Sequence, residues 1–202
     1  MGRIKSALEI ALERTESVKA DKAGINQYEL RQQGKKLANG YLESSSSTEN
    51  KTPVNLEEAI KKTAAADQAA LKQGIFEALI SQIVLPSSDE DRKRIDAIGK
   101  GLQLIIGNPQ FSAMYRRLKD ALARYMDETA RYDEAIKRQY APKLRQKEEE
   151  MSRYLGRKVQ IDPFQDPEFV GFYNQNMNAL KGNYQSMIDQ VRDEANRIFG
   201  VQ

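Results

Sequence analysis

Apolar side chains recur at helical intervals along most of this chain, and short polar or glycine–proline stretches interrupt them. In residues 4–19, Ile4, Leu8, Ala11, Leu12, Thr15 and Val18 follow steps of three or four, which is one stripe on a helix. Tyr28, Leu30, Leu37 and Tyr41 carry a second helical stretch over 26–41, weakened by Gly34 and Gly40. The Ser-rich run that follows is too polar to offset the entropy of ordering it. The pattern therefore predicts an N-terminal helical arm (1–41), a flexible Ser-rich linker (42–54) and a helical bundle (55–202).

Within the bundle, Asn55 and Glu58 have the spacing of a capping box. A helix over 55–85 follows through Leu56, Ile60, Leu71, Ile75, Leu79 and Ile83, and Pro86 ends it. Its alanine-rich middle, residues 64–70, is small-sided enough for a neighbouring helix to come close. Ser88 and Asp91 cap the next helix, 89–106, before Gly107-Asn108-Pro109 stops it and starts another.

The stretch 109–155 carries the strongest periodicity. Phe111, Tyr115, Leu118, Leu122, Tyr125, Thr129, Tyr132 and Ile136 alternate steps of four and three, as an a/d seam does. The step becomes 136, 140, 144 near Pro142, a stutter that predicts a kinked but continuous helix, with Leu144, Met151 and Leu155 extending the stripe. At 1.5 Å per residue such a rod is about 65–70 Å long. Gly156 suits its end. After a loop, Asp166-Pro167-Glu168 reads as N-cap, first helical residue and acidic first turn. Tyr173, Met177, Leu180, Tyr184, Met187, Val191, Ala195 and Ile198 form the last stripe. The fold class this implies is all-α: an elongated helical bundle built on a long antiparallel coiled-coil-like hairpin (109–199), with helices 55–85 and 89–106 packed on it and the arm docking in cis or on a second copy.

Charge fits that pairing. Residues 109–158 hold 13 Lys/Arg and 8 Asp/Glu, a balance of +5, while residues 159–202 hold 3 and 6, a balance of −3. Exposed ion pairs contribute only about 0–1 kcal/mol each, so seam burial must dominate.

Composition narrows the chemistry. The 202 residues contain no histidine, cysteine or tryptophan. The most versatile acid–base group, the usual transition-metal ligands and the thiol nucleophile are therefore missing together. A net charge of +3 is small for a general polyanion binder. The absence of disulfides, of a signal-peptide apolar core and of an apolar run near 18 residues makes the cytoplasm the expected location, with no membrane contact.

Several residue sets remain as candidates. Carboxylates alone can hold magnesium, and Glu13 with Glu16, or Asp127 and Glu128 with Asp133 and Glu134, share helix faces. All-helical nucleotide pyrophosphohydrolases use Glu-x-x-Glu and Glu-x-x-Asp pairs; Glu13-Arg14-Thr15-Glu16 meets the first, and nothing in the chain meets the second. Solvated helix charges explain these acids better. Nucleophile and phosphate-loop motifs do not occur. Neither catalytic nor metal residues nor a cofactor are assigned. Lys137, Arg138, Lys143, Arg145 and Lys147, followed by Arg153, Arg157 and Lys158, are candidate polyanion contacts with Tyr140 and Tyr154 interleaved, although Glu148-Glu149-Glu150 interrupts them. Ile4, Leu8, Leu12 and Val18 are candidate contacts to a partner helix or a second copy. The segments Ile4–Thr15 and 30–37 resemble small bacterial helical proteins of unknown function, a resemblance that implies no activity.

The reading that follows is a non-enzymatic helical scaffold, adaptor or chaperone-like module whose partner is another protein or itself. A nucleic-acid-associated protein using residues 137–158 is the first alternative, and a magnesium-dependent nucleotide hydrolase the second.

Overall fold

The computed structural model describes the backbone over residues 7–46 and 54–200, and the side chains over residues 24–45 and 54–200. The described residues are all-α. They form α1 (Ala7–Ser46), α2 (Leu56–Lys62), α3 (Gln68–Ser81), α4 (Asp89–Ile106), α5 (Pro109–Leu155) and α6 (Pro167–Gly200), with one 3-10 turn at Pro163–Gln165. Contacts divide the chain into two compact units, Met1–Ile83 with Ala97–Gly107, and Val84–Asp96 with Asn108–Gln202.

In the first unit, α1 lies against α3 in the same chain direction: Lys35 pairs with Glu77 at 2.8 Å, and Asn26 reaches Asp67. Glycine sets how close the two helices come. A Cβ on Gly34 would stand 2.3 Å from the carbonyl oxygen of Leu71, and one on Gly74 would stand 2.0 Å from that of Arg31. Two backbones in contact at this crossing bring Ala38 and Leu42 of α1 into one core with Leu71, Ile75 and Leu79 of α3. From sequence, Gly34 reads as a weak point in a helix; in the fold its missing side chain is the contact. The helix also runs on through Ser46, with Leu42 fully buried, so the expected linker begins inside α1. Residues 47–53 lie outside the described residues.

The helix expected over 55–85 is two helices. Asn55 caps α2 as its spacing predicts, its Oδ1 accepting from the Glu58 amide at 3.2 Å. Thr63 then turns to an extended conformation, and its Oγ1 donates back to the Ala59 carbonyl. The Thr63 carbonyl is taken by Gln68 Nε2 at 3.0 Å. Ala64, Ala65 and Ala66 are strong helix formers, yet they are exposed and have nothing to bury. Breaking the helix there lets Leu56 and Ile60 on one side and Leu71 and Ile75 on the other all reach the interior, and that burial outweighs the propensity of three alanines.

The boundaries of α4 and α5 are the expected ones. At α4, the amide of Asp91 donates to Ser88 Oγ, while Asp91 Oδ2 accepts from the amides of Ser87 and Ser88. This is a reciprocal capping box with aspartate in the role of glutamate. Asn108 caps α5, and Gly156 ends it in the left-handed region at φ 65°. The helix is continuous through Pro142. In the second unit, Tyr115 donates from within the core to the Ile95 carbonyl at 2.7 Å, and Arg92 Nη2 donates to the Ala123 carbonyl at 3.0 Å.

Helices α5 and α6 meet along their seams, and the partners run in opposite chain order: Tyr140 with Phe169, Asp133 with Tyr173, Glu128 with Tyr184. Four seam positions differ from the expected stripes. Ile188 is fully buried where Met187 is expected, and Met187 is 37% exposed, so the α6 step runs 184, 188, 191, 195. Tyr132 is exposed. Met151 and Leu155 are each 46% exposed, because α6 starts opposite Tyr140 and has no residues to lay over the last turns of α5.

The glycine crossing makes a direct prediction. Gly74→Ala should destabilise the protein by about 2–3 kcal/mol, as overpacking against backbone does. Gly182→Ala, at an exposed helical position with open space around it, should be neutral or stabilising by up to about 1 kcal/mol. Denaturant melts of the two variants against the parent measure both.

Candidate functional site

A cluster of charged and polar side chains lies where α5 connects to α6. Asp166 closes the connection. Its carboxylate is 7% exposed and caps α6, Oδ1 accepting from the Glu168 amide at 3.1 Å. Pro167 follows as the first helical residue, a position that suits proline.

A carboxylate withdrawn from water needs a matching charge and donors. Lys147, seven residues after Tyr140 on α5, supplies the charge: its Nζ donates to Asp166 at 2.9 and 2.7 Å and to Glu168 Oε2 at 2.8 Å. Tyr140 donates its hydroxyl to Asp166 Oδ2 at 3.0 Å. Lys143 pairs with the other oxygen of Glu168. The connecting loop is tied down by two further residues of α5. Glu148 accepts from the Ile161 amide, and Ser152 Oγ accepts from the Val159 amide, each at 2.9 Å.

Aromatic rings cover the apolar side of this cluster. Tyr140 meets Phe169 edge-on at 5.2 Å, and Phe164 meets Phe169 and Tyr173 edge-on at 5.3 Å each. Ile136 and Met177 complete the buried group, with Leu144 and Phe172 at its border.

Ionisation follows this geometry. Lys143 and then Lys147 hold Glu168 down at about 2, and Lys147 holds Asp166 below the usual carboxylate range. Asp166 and Glu168 in turn raise Lys147. Burial, with Asp166 adding to it, raises the Tyr140 phenol; burial and Asp133 do the same to Tyr173; burial and Glu128 push Tyr184 up to about 12.

Both oxygens of Asp166 and of Glu168 are engaged by neighbouring side chains or backbone, so the cluster's acids are committed to holding the turn. Three of the carboxylates considered for magnesium are engaged too: Asp133 accepts from Lys137 and Tyr173, Glu128 from Tyr184, and Asp127 pairs with Arg92 at 3.6 Å, while Glu134 is exposed. Among the described residues, no group of three acids stands where it could hold a metal ion. The side chains of Glu13 and Glu16 lie outside the described residues.

The five cations singled out in the sequence separate. Lys137 binds Asp133 at 2.7 Å, and Lys143 and Lys147 bind the turn acids. Arg138 and Arg145 are exposed and enter no ion pair among the described residues. Of the N-terminal stripe, Ile4 lies outside the described residues, and Leu8, Leu12 and Val18 lie on α1 with side chains outside them. Sequence reasoning found Asp166 and Glu168 as a cap and an acidic turn, and Lys147 and Tyr140 as surface candidates. It did not join them. The available signal was a position: Tyr140, Lys143 and Lys147 recur at three, four and seven residues, on one face of α5.

A second surface stands on the last turns of α5. Tyr154 is 89% exposed beside the half-covered Met151 and Leu155, and Arg157 and Lys158 follow it, Arg157 exposed and Lys158 also. Among the described residues no helix is long and apolar enough to cross a membrane.

Over residues 57–197 the chain matches the family of unknown function DUF6657, and it belongs to that family. No curated protein and no solved structure matches it. The matched span contains the whole turn cluster, α5, and α6 almost to its end.

The cluster predicts opposite pH limits. Asp166 and Glu168 are lowered in the fold, so their stabilisation is complete above the ordinary carboxylate range and is lost as pH falls from about 4.5 towards 2. Lys147, Tyr140, Tyr173 and Tyr184 are raised, so theirs is complete below about pH 10 and is lost as pH climbs past it. Thermal melts across pH should fall off on both sides. In the acid limb, Asp166→Asn should flatten the fall.

Proposed function

We propose that this protein is a non-enzymatic helical scaffold or adaptor, chaperone-like in presenting an apolar surface to another protein in the cytoplasm. In this reading α5 and α6 form an antiparallel coiled-coil-like hairpin, and the clamp at Asp166 fixes where α6 begins. The end of α5 is then held out with its seam residues uncovered.

The observation that carries the reading is the exposure of Tyr154, Met151 and Leu155 next to a cluster whose own polar groups are all engaged. A side chain as large as tyrosine, 89% in water at the end of a well-tethered helix, is what a contact residue looks like. Arg157 and Lys158 beside it favour a partner with an acidic rim. The stripe of Ile4, Leu8, Leu12 and Val18 serves the same role for a partner helix or a second copy. The nucleic-acid reading has less support, because four of its eight lysines and arginines pair with acids within the chain.

The test is a matched pair of baits. The parent chain and Tyr154→Glu/Leu155→Glu should melt alike, since neither side chain is buried. A defined protein retained by the parent should be lost from the double variant. Identical retention by both would overturn the role given to the end of α5.

A further inference from the structure

A cavity of about 340 Å³ opens between α1 and the start of α3, inside the first compact unit. Its origin is local. The two helices touch backbone to backbone at Gly34 and Gly74, and one to two turns before that crossing the lining contributed by the start of α3 and the residues just ahead of it includes the small side chains of Ala66, Ala69 and Ala70. Methyl groups do not fill the space, and the volume left falls within the range of small-molecule sites, about 300–1,000 Å³.

The remaining lining is polar and of both signs. Asn26, Gln27 and Arg31 line it from α1, and Asp67 and Gln73 from the α3 side. Neither Arg31 nor Asp67 enters an ion pair among the described residues; the nearest polar partner of Asp67 is Asn26 Nδ2 at 3.4 Å. Asp67 also occupies the N-cap position of α3 without making the capping bond that aspartate normally makes there. Asp67, which makes no capping bond, and the exposed Arg31, whose charge also helps to lower Glu77, line one open depression, a pairing of charges that suits a ligand carrying both complements.

We propose that this cavity binds a small zwitterion of the α-amino acid type, with Arg31 taking the carboxylate and Asp67 the ammonium group. Guanidinium matches a carboxylate in charge and in its two parallel donors. Gln73 Nε2 donates to Glu77 at 3.0 Å and Asn26 Nδ2 reaches Asp67, so Gln27 and the carbonyl oxygens of the other two amides are left for an uncharged polar side chain, and the alanines leave room for its methylenes. The site is separate from the turn cluster and from the end of α5, and it stands or falls independently of the scaffold reading.

Calorimetric titration of the full chain with L-glutamine, L-serine and glycine tests it. Saturable binding with a dissociation constant of about 1 mM or tighter is expected for at least one of them. L-glutaminamide lacks the carboxylate and N-acetyl-L-glutamine lacks the ammonium group, and each should bind at least about tenfold more weakly than its parent, a difference of about 1.4 kcal/mol. Arg31→Gln and Asp67→Asn should each weaken binding by a similar factor while the thermal melt stays that of the parent. No saturable heat with any of the three amino acids, or derivatives that bind as well as the free amino acid, would overturn the proposal. The derivatives probe the unaltered chain, so their result does not depend on how the variants fold.

Discussion

The arrangement of α5 and α6 depends on one carboxylate. Asp166 is the only charged residue among the described ones that is buried, and it sits at the point where the chain reverses. A lone carboxylate in that position would lose solvation without a matching charge to offset it. It stays ionised because Lys147 lies across it, Tyr140 donates to it and the amide of Glu168 caps against it. Each of these partners comes from a fixed place on a helix. The requirement to match that charge therefore sets the register of α5 against α6, and the aromatic group of Tyr140, Phe164, Phe169 and Tyr173 packs in that register.

The first unit rests on a constraint of the opposite kind. There the deciding feature is the absence of side chains at Gly34 and Gly74, which lets α1 and α3 come together backbone to backbone. Tight approach at one point means divergence on either side, and the cavity beside Arg31 and Asp67 is the consequence on the N-terminal side. One unit is thus organised by an ionic match, the other by a steric gap.

These two kinds of constraint differ in how far they can be read from sequence. Caps and stops are local, so Asn55, Ser88 with Asp91, Asn108-Pro109, Gly156 and Asp166-Pro167 mark helix ends correctly from the residues alone. Long stripes are nearly as legible, and α4, α5 and α6 lie where periodicity puts them. Tertiary choices are not. Residues 64–66 look helical because alanine favours helix, and only the need to turn two apolar faces into one core breaks them; the gap in the stripe between Ile60 and Leu71, with Asp67 in it, is the trace of that break. Gly34 carries the penalty of glycine in a helix in any local reading, since its benefit lies on α3. Met187 and Ile188 are both apolar, and which one faces α5 depends on the pitch of a helix pair rather than on either residue. Lys147 and Asp166 are 19 residues apart, and their pairing becomes visible only once both helices are placed. The functional reading inherits this asymmetry. The chemistry that the chain lacks is evident from composition, while the surfaces it offers emerge only from which seam residues the fold leaves uncovered.

The central claim is that Lys147 and Asp166 act as one unit in fixing the turn, and a double-mutant cycle tests it most directly. Lys147→Met, Asp166→Asn and the double variant would be compared with the parent by denaturant melts, alongside the same cycle on the exposed pair Lys61 and Glu57. Strong non-additivity is expected at the turn, with the lone Lys147→Met variant less stable than the double variant, and near-additivity for the exposed pair. Additive losses at Lys147 and Asp166, no different from those at Lys61 and Glu57, would contradict it.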